Sequence, residues 1–202
     1  MIDTSFRKFF GQRMLPLTKL LARLNVSPNA ISLLAFLISS SAGLALGFQR
    51  PQIALILWWT GRILDSLDGE LARLTGKTSP FGAFLDITLD MMAYSAVIVG
   101  FFFYQMHFQS YWLVIMFLYV GCITSALSLG VLLDEAKVKN TDNRGLRLAT
   151  GLAEGGETGI AYSAFILLPS FLSYLLPAWI MILAVTIVAR FTMAYRLSRK
   201  LS

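Results

Sequence analysis

With 202 residues, 56% hydrophobic content and 14% charged residues, the chain is too apolar for an ordinary soluble domain and too short for two large ones. Its single cysteine excludes an internal disulfide. A net charge of +6 would point to nucleic acid in a soluble protein, but here the basic residues cluster at the ends of apolar runs, which is membrane topology, so no nucleic-acid partner is expected.

Residues 1–28 lack the charged, apolar and cleavage-site succession of a signal peptide. From Phe6 to Leu24 the basic residues Arg7, Lys8, Arg13, Lys19 and Arg23 interleave with Phe9, Phe10, Met14, Leu15, Leu17, Leu20 and Leu21. That pattern predicts an amphipathic helix lying in the membrane interface, kinked or divided at Pro16. Ser27 and Pro28 then form a helix start, and a first span is expected over Ala30 to Phe48.

A second span is expected from Pro51 to about Leu74, long enough for the roughly 30 Å hydrocarbon core. Trp58 and Trp59 fall mid-span, where interfacial anchoring does not explain them, leaving packing or an acyl-chain groove. After a turn over Thr75 to Pro80, a third span covers Phe81 to Phe103, a short connection carries His107, and a fourth span covers Ser110 to Leu133. A polar stretch from Asp134 to about Gly151 holds Lys137, Lys139, Arg144 and Arg147. The fifth span, about Leu152 to Leu168, opens with Glu154 and Glu157 among glycines, at i and i+3, and these suggest a second polar patch. Beyond Pro169 and Pro177 a sixth span runs to Tyr195 and contains Arg190.

The expected fold is therefore an all-α membrane protein of six transmembrane helices (29–202) preceded by an N-terminal amphipathic interfacial segment (1–28). Of 17 Lys and Arg residues, only Arg50 falls in a loop on the opposite side, so both termini are expected to be cytoplasmic. The pairs Gly43/Gly47 and Gly155/Gly159 permit close helix contacts, a weakly specific signal.

The chemistry concentrates between Asp65 and Asp90, which hold five of the eleven acidic residues between two apolar runs. Carboxylates inside a membrane are costly unless paired, metal-bound or wet, so they mark function. Asp65 and Asp68 are i and i+3, Asp86 and Asp90 are i and i+4, and each pair projects from one helix face. Two helices could thus present four oxygen ligands to one pocket. A donor set without His or Cys favours magnesium, manganese or calcium over zinc. Gly69 and Gly82 leave room for a close approach, Arg73 is suited to a phosphate, and Arg62, one turn before Asp65, is read as a counter-ion ahead of a substrate contact.

Asp65, Asp68, Gly69, Ala72, Arg73, Gly82, Asp86 and Asp90 together, at these spacings, resemble the signature of the CDP-alcohol phosphotransferase family, with every fixed position filled. The resemblance implies a phospholipid-synthesis enzyme of bacterial or archaeal inner membranes with its site facing the cytoplasm. It would use a CDP-linked lipid donor, such as CDP-diacylglycerol, and an acceptor alcohol, releasing CMP. It further implies Mg2+ or Mn2+, as two ions, held by Asp65, Asp68, Asp86 and Asp90, with Asp90 as general base. Nucleotide contacts would come from Asp68, Gly69, Ala72, Arg73 and Gly82. The opening PNAIS of the first span is similar to a family element that would bring Asn29 and Ser32 to the nucleotide; both could equally be helix caps. A homodimer is implied as well.

The acceptor stays open among glycerol phosphate, an inositol compound, an amino alcohol and a second lipid. Arg144, Arg147 and Arg190 would suit a phosphorylated acceptor, whereas Glu154 and Glu157 would suit a hydroxyl or amine. A divalent-cation transporter would also explain the four aspartates, but not the glycines and Arg73 at these spacings, and an arginine beside a cation path would be counterproductive.

Overall fold

The computed structural model of the protein describes residues 14–135 and 155–201. Among these the regular elements are all helical. Helix α1 covers 14–23, α2 Pro28–Gly47, α3 Pro51–Leu74, α4 Pro80–Tyr104, α5 Gln109–Glu135, α6 Gly155–Leu167 and α7 Leu172–Leu201. Single 3₁₀ turns lie at Met106–Phe108 and Pro169–Phe171.

The junctions from α1 to α4 share one local device. Each preceding helix closes on a residue in the left-handed region: Asn25 (φ 53°), Gln49 (φ 60°) and Gly76 (φ 66°). Paired backbone bonds seal each end: Val26 N to Leu21 O and Asn25 N to Ala22 O, Arg50 N to Ala45 O and Gln49 N to Leu46 O, Lys77 N to Ala72 O and Gly76 N to Arg73 O. These satisfy carbonyls that the helix end would otherwise orphan. The next helix then opens on Pro28, Pro51 or Pro80, where the missing N–H costs nothing and φ is already helical.

Among the described residues four stretches are long and apolar enough to cross a membrane: Pro28–Gly47, Pro80–Tyr104, Met106–Leu133 and Pro169–Arg199. The chain is an all-α integral membrane protein, and these are four of the six expected spans. α3 is less apolar because it carries Arg62, Asp65, Asp68, Glu70 and Arg73. The described part of α6 has 13 residues, about 20 Å at the helical rise and short of the hydrocarbon core. Within the expected amphipathic segment 14–23 is helical, and residues before Met14 lie outside the described residues. The last helix begins earlier than expected and contains Pro177. Pro177 was expected before this span, yet in the helix's second turn it removes a single backbone bond, which membrane helices tolerate.

The chain divides into two compact units, Met1–Trp112 and Leu113–Ser202. In the first, α2 packs on both α3 and α4. A Cβ on Gly43 would sit 2.2 Å from the carbonyl oxygen of Ala96, and one on Gly100 would sit 2.3 Å from that of Gly43, so α2 and α4 cross backbone to backbone. Against α3, a Cβ on Gly61 would meet Ser39 Oγ at 2.0 Å. Gly43 thus carries the tight contact that its spacing suggested, while a Cβ on Gly47 would meet nothing within 4 Å. Trp58, Leu67, Leu71, Val97, Ile98 and Phe101 fill this unit, and Phe101 stacks on Trp112 with centroids 4.7 Å apart.

The second unit is built on Tyr162, Phe165, Leu172, Leu176 and Leu183. Buried Trp179 donates from Nε1 to the hydroxyl of Tyr119 at 3.2 Å, which satisfies a polar atom in an apolar core. Cys122 is a buried packing residue whose thiol lies 3.8 Å from the Leu183 carbonyl, and His107 is exposed on its 3₁₀ turn.

Candidate active site

The polar part of the first unit lies where the C-terminal half of α3 faces α4. Asp65 and Asp68 come from α3 and Asp86 from α4, and one carboxylate oxygen of each lies within 4.8 Å of the other two. Ligand oxygens stand about 2.0–2.6 Å from magnesium, manganese or calcium, so three oxygens at this mutual spacing can share one such ion. All donors are carboxylate oxygens, which suits a hard divalent cation. Asp68 is the most enclosed of the three, at 4% exposure.

The first turn of α2 touches both sides of this group. Buried Ser32 donates its hydroxyl to Asp68 Oδ2, so it orients a candidate ligand rather than merely capping its helix. Asn29 lies against Gly82 on α4, where a Cβ would stand 3.4 Å from its Oδ1. The same absent Cβ would stand 3.2 Å from Ser79 Oγ, the N-cap that accepts the Gly82 amide hydrogen at 3.0 Å. Over Gly69 the nearest side chain is the exposed Arg73, whose guanidinium would be 3.3 Å from a Cβ there. Ala72 is half-buried between them in sequence. The residues expected at the nucleotide, Asn29, Ser32, Asp68, Gly69, Ala72, Arg73 and Gly82, thus lie at one end of the α2–α4 group.

Asp90 is placed differently from the other three aspartates. Its Oδ1 accepts from Arg62 Nη2, and its Oδ2 accepts from the Tyr94 hydroxyl at 3.2 Å. Arg62 also donates from Nη1 to the Tyr94 oxygen at 2.9 Å and stands 3.6 Å from Asp65 Oδ2. The guanidinium sits between the rings of Trp58 and Tyr94, 5.3 and 5.1 Å from their centroids. Arg62 is only 8% exposed, and a charge so placed is tolerable because carboxylates and aromatic faces replace its water. The expected counter-ion is therefore present, and its partners are Asp65 and Asp90. Trp58 is fully buried with its ring at an angle to Tyr94, which makes it a packing residue.

Tyr94 was not singled out from the sequence. The signal was available: it follows Asp90 by four residues, on the same helix face, and a tyrosine inside an apolar span needs a partner for its hydroxyl.

Of the expected acceptor residues, Arg144, Arg147 and Glu154 lie outside the described residues. Arg190 is buried on α7 and donates from Nη1 to the carbonyl of Cys122. Glu157 is half-buried in the first turn of α6, where the helix dipole favours a carboxylate.

Residues 25–189 match the sequence profile described as CDP-alcohol phosphatidyltransferase. The chain belongs to the CDP-alcohol phosphatidyltransferase family. Among relatives, it is 42% identical over 82 residues to an archaetidylinositol phosphate synthase of Pyrococcus horikoshii, covering 41% of this chain and 44% of that protein. The chain therefore spans less than half the length of that relative. To the inner membrane protein YnjF of Escherichia coli it is 32% identical over 168 residues, covering 80% of this chain and 75% of that protein. The fold is similar to that of Mycobacterium tuberculosis phosphatidylinositol phosphate synthase with CDP-DAG bound, with a TM-score of 0.66, 22% identity and coverage of 89% and 92% of the two chains. That synthase has also been solved in complex with manganese and citrate, at a TM-score of 0.63, 22% identity and coverage of 89% and 88%.

Proposed function

We propose that the chain transfers a phosphatidyl-type group from a CDP-linked lipid to the hydroxyl of an inositol phosphate, releasing CMP. The observation that carries this reading is the meeting of Asp65, Asp68 and Asp86 within 4.8 Å, beside an Asp90 held apart on Arg62, inside a complete family signature. The inositol phosphate acceptor rests on the name of the Pyrococcus horikoshii relative and of the Mycobacterium tuberculosis fold neighbour.

In this reading Asp65, Asp68 and Asp86 hold Mg2+ or Mn2+, as two ions, and the manganese complex of the fold neighbour supports that choice. A divalent metal held there would supply positive charge to neutralise the diphosphate and the departing CMP. Ser32 keeps Asp68 turned to its ligand position, Asn29 faces the nucleotide, Gly69, Ala72 and Gly82 allow its close approach, and Arg73 supplies a cation for its phosphates. Asp90 takes the acceptor proton as the acceptor oxygen bonds to the lipid-side phosphorus. The bond from that phosphorus to CMP breaks, and CMP leaves with the electron pair. Arg144, Arg147 and Arg190 supply charge for the acceptor phosphate, and this reading favours them over Glu154 and Glu157.

We place α3 and α6 among six spans, residues 6–24 in the interface and the motif at the cytoplasmic face. The support is the distribution of Lys and Arg, with Arg50 alone on the other side. The cation-transport alternative is disfavoured by Arg62, whose buried charge sits among the carboxylates that a permeating cation would need.

The test is CMP release by purified protein given CDP-diacylglycerol and inositol phosphate, glycerol phosphate, free inositol or an amino alcohol in turn. Fastest release with inositol phosphate is expected. Release only with another acceptor would reassign the substrate, and metal flux into sealed vesicles without CMP release from any acceptor would contradict the transferase reading.

A further inference from the structure

The carboxylate of Asp90 is gripped on both oxygens by side chains that the family signature does not contain. Arg62 Nη2 donates to Oδ1, and the Tyr94 hydroxyl donates to Oδ2 at 3.2 Å. The two grips are tied to each other, because Arg62 Nη1 donates to the Tyr94 oxygen at 2.9 Å. The resulting ring of three side chains spans α3 and α4. A carboxylate with both oxygens engaged cannot rotate about its terminal bond without breaking a charge-assisted bond, so its orientation is set before substrate arrives. Each carboxylate oxygen carries two lone pairs, so one hydrogen bond to each does not exhaust its capacity to accept a proton.

The supports of the ring are themselves fixed. Tyr94 is 3% exposed and meets Trp58 at 5.7 Å between centroids, and Trp58 is fully buried. Trp58 and Arg62 are i and i+4 on α3, as Asp90 and Tyr94 are on α4, so each helix contributes one polar group and one aromatic ring from a single face. On its other side Arg62 lies 3.6 Å from Asp65, which links the orientation of Asp90 to the Asp65, Asp68 and Asp86 group.

We propose that Tyr94 and Arg62 are positioning residues that hold the two oxygens of Asp90 and aim its carboxylate at the acceptor hydroxyl. This rests on the transferase reading above. A structural role for the ring predicts loss of fold or of metal binding when it is opened. A positioning role predicts loss of turnover alone, and only while Asp90 is there to be positioned.

Tyr94→Phe is the decisive variant, because it removes one hydroxyl and leaves the ring on Trp58. Turnover with CDP-diacylglycerol and Mn2+ affinity by electron paramagnetic resonance would be measured for the full chain, Tyr94→Phe, Asp90→Asn and the double variant. Tyr94→Phe should lower kcat roughly ten- to a hundredfold while KM for the donor and Mn2+ affinity stay within about twofold. On top of Asp90→Asn it should cost nothing more, since residues acting through one group are not additive. Arg62→Lys keeps the charge but loses the fork, and should lower kcat with the same unchanged Mn2+ affinity. Full kcat in Tyr94→Phe, a loss that multiplies with that of Asp90→Asn, or a fall in Mn2+ affinity would overturn the proposal, and full kcat in Arg62→Lys would overturn the part of Arg62. Wild-type protein that releases no CMP would overturn the transferase reading, and this inference with it.

Discussion

Asp90→Asn is expected to lower turnover by roughly a hundred- to ten-thousandfold, the usual range for loss of a general base, while Mn2+ binding persists. The two halves of that expectation come from different observations. An acceptor alcohol is a poor nucleophile until its proton is taken, and an amide cannot take it. Metal binding should survive because the three carboxylates that share a cation-sized space are Asp65, Asp68 and Asp86, whereas Asp90 is engaged by Arg62 and Tyr94. Near-native turnover in this variant would place the base elsewhere. A collapse of Mn2+ affinity would make Asp90 a ligand as well, as the family resemblance allows.

The position of Asp90 also marks how far the sequence could be read. Its spacing from Asp86 put both on one face of α4, and the spacing of Asp65 and Asp68 did the same for α3. Which of the four carboxylates converge depends on the rotation of one helix against the other, and intrahelical spacing says nothing about that. The rotation is set by contacts such as Gly43 on Gly100 and Gly61 on Ser39, which bring α2 against α4 and α3. A glycine in a sequence does not disclose its partner.

Helix limits were more legible. Pro28 and Pro51 each start a helix as expected, Pro80 opens α4 instead of closing the turn before it, and the bounds expected for the second span, Pro51 to about Leu74, match α3. Pro177 misled because a proline in an early turn of a helix looks the same in sequence as one before it. Arg62 was readable as a counter-ion from its i, i+3 relation to Asp65, but its second partner, Asp90, is 28 residues away and could come only from the fold. The role of Tyr94 could come only from the fold as well, because its second partner, Arg62, lies on α3.

Asp68→Asn should weaken Mn2+ binding by more than the roughly ten- to hundredfold that loss of an outer partner costs, and Ser32→Ala should fall within that range. Asp68 is the most enclosed carboxylate of the group, and its Oδ2 accepts the Ser32 hydroxyl. Removing its charge leaves two carboxylates for the cation, and removing Ser32 only frees Asp68 to turn. Transfer should fall with metal affinity in both variants, and excess Mn2+ should restore Ser32→Ala more fully. Unchanged Mn2+ affinity in Asp68→Asn would exclude this residue from the metal centre.

The central claim is metal-dependent transfer at the Asp65, Asp68 and Asp86 group, and its most direct measurement is CMP release from CDP-diacylglycerol and inositol phosphate during removal and return of metal. Release by the purified wild-type chain should stop in excess EDTA and resume when Mg2+ or Mn2+ is added beyond the chelator. Release continuing at full rate in EDTA would contradict the account.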